Sequence, residues 1–177
     1  MYKRQPKYIT KSNPRIGLIA LASDFMIERD FINVIKDREV DFFVNRIECY
    51  NPLTKENLIK MSNKVTEVTK DILPDQDIDC VVYGCTSGTI AAGYESIEKK
   101  VKAAKPMAEV TTPSTAAIKA LKKLNISKIS LFTPYSKKLN DEVLEYFKNE
   151  GFEVTSNSYF DIDCLLYTSP SPRDHQP

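Results

Sequence analysis

The stretch Asp79-Cys-Val-Val-Tyr-Gly-Cys-Thr-Ser-Gly-Thr89 decides the fold of this chain. Its run Val81-Val-Tyr83 is typical of a short buried strand, which ends at Gly84. A small-residue pattern, Gly88-Thr-Ile-Ala-Ala-Gly93, then favours a helix. The three residues Cys85, Thr86 and Ser87 therefore lie in a turn between the carboxyl end of a strand and the amino end of a helix. Open α/β sheets bind their ligands at that edge.

Cys85 is the candidate reactive group of this turn. The first N–H groups of a helix are unpaired and carry partial positive charge, which suits a substrate carboxylate or a thiolate. The sequence therefore predicts a thiol pKa below the ~8.5 of a free cysteine. With a hydroxyl on each of the next two residues, such a cysteine is a candidate nucleophile or proton donor. The structural alternative is a small buried cysteine that only packs.

Strand patterns and helix patterns alternate along the rest of the chain, with short connections. This alternation predicts a parallel sheet with right-handed crossovers and helices on both faces. The turns after Ala22, Gly84 and Phe132 would then open towards one edge. Ser23 or Asp24 would cap the first helix. The predicted strands cover residues 15–22, 41–50, 81–83, 107–110, 128–132 and 152–160, and the predicted helices cover about 25–35, 54–68, 89–104, 112–124 and 137–149.

Composition limits the classes of function. With 177 residues, 42% of them hydrophobic, the chain can form one domain, or one lobe and part of another. A net charge of +1 without a basic block argues against a nucleic-acid partner. No apolar run approaches the ~20 residues that span a bilayer, and no secretory signal is visible. We therefore expect no membrane partner and a cytoplasmic location. The four cysteines, which have no metal-site spacing, are Cys49, Cys80, Cys85 and Cys164.

Both ends of the chain differ from its centre. Residues 1–14 are polar and are expected to form a flexible lead-in. Residues 164–177 hold three of the ten prolines and the only histidine, His175. This composition is typical of disorder, and the segment resembles translated sequencing-adapter sequence. We therefore expect the natural sequence to be interrupted after Asp163, and we assign no role to His175.

Four motifs together carry a resemblance to a known family. The chain resembles the maleate isomerase and arylmalonate decarboxylase group of the aspartate/glutamate racemase superfamily, and within it the branch linked to ectoine utilisation. The order and spacing of the motifs extend the resemblance over nearly all of residues 15–163. The motifs are Arg15-Ile-Gly-Leu-Ile-Ala-Leu-Ala-Ser-Asp-Phe-Met-Ile-Glu-Arg-Asp-Phe31, Tyr83-Gly-Cys-Thr-Ser-Gly-Thr89, Thr112-Pro-Ser-Thr-Ala-Ala117 and Leu131-Phe-Thr-Pro-Tyr-Ser136.

The resemblance implies a two-lobed α/β architecture with the active site between the lobes. Here it predicts a flavodoxin-like first lobe over residues 15–112 and an incomplete second lobe over 113–163. Family members need no cofactor, form homodimers, and can supply one cysteine from each lobe. Cys85 corresponds to the first-lobe cysteine. Because the decarboxylase has glycine there, the resemblance favours the isomerases and racemases.

The resemblance also implies the substrate-binding residues. Thr86, Ser87 and Tyr135 match the donors that hold a substrate carboxylate, and Thr133 and Pro134 belong to the same substrate-binding motif as Tyr135. Reactions of this family pass through an enediolate-like species, which such donors stabilise. The Cys85 thiolate would add to carbon or move a proton. The implied partner is therefore a small carboxylate substrate.

Two departures from the family pattern affect this expectation. Asp24 stands where the isomerases carry asparagine. A carboxylate there would repel a second substrate carboxylate and attract an ammonium group, which favours an amino-acid-like substrate; alternatively, Asp24 only caps its helix. The second-lobe cysteine of the family lies beyond Phe160, so we expect the 177-residue chain to be inactive or very weak.

Three other functions remain as alternatives at this stage. One is a decarboxylating lyase of the arylmalonate type. Another is a non-catalytic protein that binds a small carboxylate through Thr86, Ser87 and Tyr135. A flavodoxin-like cofactor binder is the third, but the chain has only five glycines and no glycine-rich phosphate loop.

Overall fold

The computed structural model describes residues 13–161. Cys164, His175 and most of the predicted lead-in lie outside the described residues. The described part contains six strands and seven helices. In chain order they are β1 (Arg15–Leu21), α1 (Ile27–Ile35), β2 (Asp41–Ile47), α2 (Lys55–Ser62), α3 (Val65–Lys70), β3 (Cys80–Tyr83), α4 (Thr86–Ala92), α5 (Tyr94–Lys102), β4 (Glu109–Thr111), α6 (Pro113–Lys123), β5 (Lys128–Thr133), α7 (Lys137–Asn149) and β6 (Glu153–Tyr159).

The larger sheet has four parallel strands in the order β2-β1-β3-β4. This confirms the predicted α/β fold with a parallel sheet. The chain runs outward from β1 to β2 and then returns to place β3 on the other side of β1. The connections that follow β1 and β3 therefore lead away from each other, which leaves a crevice at the carboxyl ends of these two strands. Open parallel sheets bind their ligands in such a crevice.

A second, two-stranded parallel sheet is formed by β5 and β6. It has its own small core of buried apolar side chains, contributed largely by α6 and α7. The lobe boundaries at residues 112 and 113 stay a prediction. The buried members of this core are Ile118, Val143, Phe147 and Phe152.

Two predicted helices are each interrupted, so these two predictions are wrong in detail. The predicted helix 89–104 begins earlier, at Thr86, and breaks at Gly93, whose φ of 81° is not helical. The predicted helix 54–68 breaks where Asn63 and Lys64 donate to carbonyls three residues back, at 3.2 and 3.0 Å, instead of four.

Within residues 13–161, none of the helices has the length and apolar character needed to cross a membrane.

The two faces of β3 contribute to different parts of the core. Val82 packs with Leu18 and Ala20 on one side of the sheet. Tyr83 packs on the other side, in the large core that also contains Cys85. Because side chains alternate along a strand, the side chains of residues 83 and 85 lie on the same side of the sheet at the point where the strand ends.

Gly84 allows the strand to end in close contact with its neighbours. Its N–H donates to the Ile19 carbonyl at 2.9 Å, which extends the pairing of β1 and β3 by one residue. A Cβ at Gly84 would lie 2.7 Å from Ile27 Cδ1 and 3.1 Å from the Ile19 carbonyl oxygen. Only glycine therefore lets the start of α1 pack against this turn without displacement.

We expect Gly84→Ala to lower the free energy of unfolding by about 1–3 kcal/mol, because the added methyl group overpacks this contact. Urea denaturation of the described fold measures the effect. Ile27→Val removes the nearest contacting atom, so in a double-mutant cycle it should recover part of the loss. Strictly additive effects of the two substitutions would contradict this packing explanation.

Candidate active site

Cys85 caps the N-terminus of α4. Its sulfur accepts the Gly88 N–H at 3.2 Å, and the Ser87 hydroxyl lies 3.8 Å from it. The Thr89 hydroxyl donates to the Cys85 carbonyl at 2.7 Å, which fixes the first turn of the helix. The cysteine is 3% exposed. The predicted position of Cys85, between a strand end and a helix start, is therefore the observed one.

The ionisation of Cys85 differs from the prediction. Burial raises the pKa of the thiol to about 11, and the nearby Cys49 thiol adds to the rise. The Gly88 N–H and the hydroxyls of Ser87 and Tyr83 lower the pKa, but by less than burial raises it. The prediction of a lowered thiol pKa is thus wrong for this structure. The sequence shows the donors at the helix start, but it does not show how completely the core closes around the sulfur.

Tyr135 reaches the same group of side chains from the second sheet. It follows β5, is half-buried, and packs against the core that contains Cys85. Burial and the Cys85 thiol raise the pKa of Tyr135 to about 12, while hydrogen bonding with Ser87 and Thr86 partly offsets the rise. The structure therefore brings together four of the predicted site residues, Cys85, Thr86, Ser87 and Tyr135.

The remaining predicted site residues are engaged elsewhere or flank this group. The Asp24 carboxylate accepts the N–H groups of Met26 and Ile27 at 2.8 and 3.0 Å, which supports the start of α1. The Thr133 hydroxyl is buried and donates to Asn140 Oδ1 at 2.9 Å. Pro134 is half-buried between Thr133 and Tyr135. A substrate-binding role for Asp24, Thr133 and Pro134 stays a prediction.

Tyr83 and Gly88 are part of the site, although the sequence reading gave them only structural roles. The Tyr83 ring is fully buried beside Cys85. A Cβ on Gly88 would lie 2.6 Å from the Tyr83 hydroxyl oxygen and 2.8 Å from the Cys85 sulfur. The spacing of two residues between Tyr83 and Cys85, at the end of a strand, is the signal that could have placed both on one side of the sheet.

This arrangement is suited to a small anion and a reactive sulfur. Hydroxyl groups from α4 and from the segment after β5 lie beside a buried thiol. Donors in a site shielded from bulk water stabilise developing negative charge most strongly. Across residues 13–161, no cluster of three or more histidine, cysteine or acidic side chains could hold a metal ion.

Comparison with known proteins identifies the family. The sequence model described as arylmalonate decarboxylase matches residues 52–166, well over half of the chain. The chain belongs to the arylmalonate decarboxylase family. The family match includes β3, the Cys85 turn, α4 and the Tyr135 loop.

Several proteins that are similar to this chain are named maleate isomerases. A maleate isomerase from Geobacillus stearothermophilus is 26% identical over 162 residues, which cover 84% of this chain and 64% of the relative. The crystal structure of the maleate isomerase Iso from Pseudomonas putida S16 matches with a TM-score of 0.76 at 24% identity, over 88% of this chain and 67% of that one.

A third match is a cysteine variant of Nocardia farcinica maleate cis-trans isomerase with a covalently bound succinylcysteine intermediate. It has a TM-score of 0.77 and 19% identity, over 88% of this chain and 66% of that chain. At these identities the two solved structures establish a shared fold. The chain spans slightly less than two thirds of the length of the curated Geobacillus relative.

We expect iodoacetamide to label Cys85 more slowly in the folded chain than in the urea-unfolded chain at about neutral pH, because burial raises the thiol pKa to about 11. The labelling rate of folded Cys85 should keep rising about tenfold per pH unit above the ~8.5 at which a free thiol levels off. Peptide mass spectrometry separates Cys85 from the other cysteines. A folded-state rate that levels off near neutral pH would contradict the raised pKa.

Substitution of Asp24 tests its role as the acceptor at the start of α1. Asp24→Ala should lower the free energy of unfolding by about 1 kcal/mol, since two N–H groups lose their acceptor. Asp24→Asn keeps an acceptor oxygen and should retain most of the stability. Urea denaturation of both variants tests this, and equal losses for alanine and asparagine would exclude the capping role.

Proposed function

We propose that the protein to which this chain belongs is a cofactor-independent isomerase that acts on a small dicarboxylate of the maleate type, through the sulfur of Cys85. The observation that carries the proposal is that this sulfur lies beside two hydroxyl-bearing side chains, Ser87 in the helix after β3 and Tyr135 in the segment after β5. Neither sheet alone provides this set, so the site needs both halves of the described fold.

The proposed chemistry uses the Cys85 sulfur as the nucleophile. A bond from sulfur to one alkene carbon forms as the π electron pair moves onto the adjacent carboxylate, which gives an enediolate-like species. The thiol proton ends on the neighbouring carbon, so that S–H has added across the double bond. Rotation about the resulting single bond, followed by loss of the same sulfur and one proton, restores the thiol and gives the trans diacid.

The neighbouring donors have separate roles in this proposal. Thr86, Ser87 and Tyr135 hold the carboxylate that receives the electron pair, and each such donor contributes roughly 10²–10³ in rate in comparable oxyanion sites. The Gly88 N–H donates to the sulfur and stabilises the negative charge that forms there when the thiol loses its proton. Because the thiol pKa lies near 11, orientation of the bound alkene next to the sulfur supplies the reactivity that a low pKa would otherwise provide.

The names of the relatives support this proposal. The curated Geobacillus relative is a maleate isomerase, and the Nocardia enzyme variant holds a succinylcysteine, which is the adduct expected from sulfur addition to a C4 diacid. A cysteine at position 85, where the resemblance places glycine in the decarboxylase, favours isomerisation over decarboxylation. A role in ectoine degradation, a cytoplasmic location, a homodimer and weak activity of the 177 residues alone stay predictions.

One observation favours a second candidate, a non-catalytic protein that binds a small carboxylate. The thiol of Cys85 is buried and its pKa is raised, as in many cysteines that only pack. In that case Thr86, Ser87 and Tyr135 would bind the carboxylate with no reaction at sulfur. Binding would then survive Cys85→Ser, and no adduct would form.

Maleate labelling distinguishes these candidates. We expect maleate to add to Cys85 faster in the folded chain than in the unfolded chain, although iodoacetamide shows the opposite order. Mass spectrometry of the Cys85 peptide detects the adduct, which is the readout because turnover to fumarate by these 177 residues alone is expected to be absent or very weak. Ser87→Ala and Tyr135→Phe should each slow adduct formation about 10²-fold.

The half-exposed Cys80 is the matched control within the same chain, because burial also raises its thiol pKa but it packs on the other side of the sheet. Its reaction with maleate should not be faster in the folded state, and Cys85→Ser should remove the adduct at residue 85. Failure of folded Cys85 to react with maleate, with tight maleate binding retained, would establish the binding function instead.

A further inference from the structure

The Tyr83 hydroxyl is an unusual feature of this core. Its oxygen is buried and has no partner at hydrogen-bond geometry among the described residues. A buried hydroxyl without a partner is destabilising, so native structures seldom keep one without a reason. Phenylalanine at this position would fill nearly the same space without that penalty.

The polar neighbour of this hydroxyl is the reacting sulfur. Both the Tyr83 oxygen and the Cys85 sulfur lie within 3 Å of the point where a Cβ on Gly88 would stand. The absence of a side chain at Gly88 therefore leaves the space that the two atoms share. Burial and the adjacent Cys85 thiol raise the pKa of Tyr83 strongly, so its phenol keeps the proton that it could donate.

We infer that Tyr83 is a positioning residue for the sulfur, whose hydroxyl completes a hydrogen bond to Cys85 when the thiol gives up its proton. The inference deepens the proposed isomerase function and rests on it for its catalytic meaning. The thiolate would then have two fixed donors, the Gly88 N–H and the Tyr83 O–H, in addition to the more distant Ser87 hydroxyl. The Tyr83 hydroxyl, which has no partner while the thiol is protonated, would gain one when the thiolate forms.

Two other titratable side chains, Cys49 and Tyr135, also face this sulfur. Cys49 approaches from the segment after β2 and raises the pKa of Cys85. Tyr135 approaches from the segment after β5, and its own pKa is raised by Cys85. Tyr83, from β3, lowers the pKa of Cys85. A test must therefore separate Tyr83 from Tyr135 and Cys49.

Tyr83→Phe is the direct test, read by iodoacetamide labelling of Cys85 between about pH 8 and 10. Loss of a donor to a thiolate should slow labelling about tenfold at a given pH and move the pH profile upward by about one unit. The midpoint of urea unfolding should stay the same or rise, because an unsatisfied buried hydroxyl is removed. A merely structural tyrosine would change the unfolding midpoint without moving the pH profile in this direction.

Tyr94→Phe is the matched control, since the Tyr94 hydroxyl donates to the Val110 carbonyl at 3.0 Å and contacts a different part of the fold. It should lower stability and leave the Cys85 profile unchanged. Replacement of all tyrosines by 3-fluorotyrosine makes every phenol a stronger donor and gives a second measurement. It should speed labelling of Cys85 more in the wild-type chain than in Tyr83→Phe, where only Tyr135 remains beside the sulfur.

Labelling that is unchanged or faster in Tyr83→Phe, or an equal effect of fluorotyrosine in both chains, would overturn the inference. None of these measurements uses a substrate. A shifted profile without a maleate adduct would therefore reject the isomerase function and keep Tyr83 as a donor to the sulfur. A maleate adduct with an unshifted profile would keep the isomerase function and reject Tyr83 as a donor to the sulfur.

Discussion

The hydrogen bond from the Gly88 N–H to the Cys85 sulfur is the interaction on which the candidate site depends. It forms because the strand ends at Tyr83, the helix begins at Thr86, and residue 88 has no side chain. Each condition has a steric cause. Gly84 lies against the Ile19 carbonyl and the Ile27 side chain, and Gly88 lies against the Tyr83 hydroxyl and the sulfur itself. Two close backbone approaches thus define where the sulfur can be.

Burial and hydrogen bonding act on this sulfur in opposite directions. Exclusion of water raises the pKa of the thiol, while fixed donors around it favour the thiolate. In this structure burial has the larger effect, so the thiol keeps its proton at neutral pH. Under the proposed function, orientation of the bound alkene next to the sulfur would supply the reactivity that ionisation of the thiol does not.

The sequence predicts the parallel sheet well because β1 and β3 are short apolar runs and strand and helix patterns alternate along the chain. It also places Cys85 correctly, since the strand end and the helix start flank it directly. The interruptions at Gly93 and at Asn63 were missed, because local apolar spacing continues across both breaks. The raised thiol pKa was missed for a different reason. It depends on side chains from distant segments, such as Met61 and Tyr135, which close around the sulfur only in the folded chain.

Tyr135 links the two cores of the molecule. Its ring packs against the large core around Cys85 and also against the small core of Ile118, Phe147 and Phe152. Protein interiors are close-packed, so a change of volume in one core is transmitted through the side chain that both share. Repacking at Phe147 or Phe152 would therefore shift the phenol relative to Ser87. In this way sequence variation at Phe147 or Phe152 can change the geometry around the sulfur while Cys85, Ser87 and Tyr135 themselves stay the same.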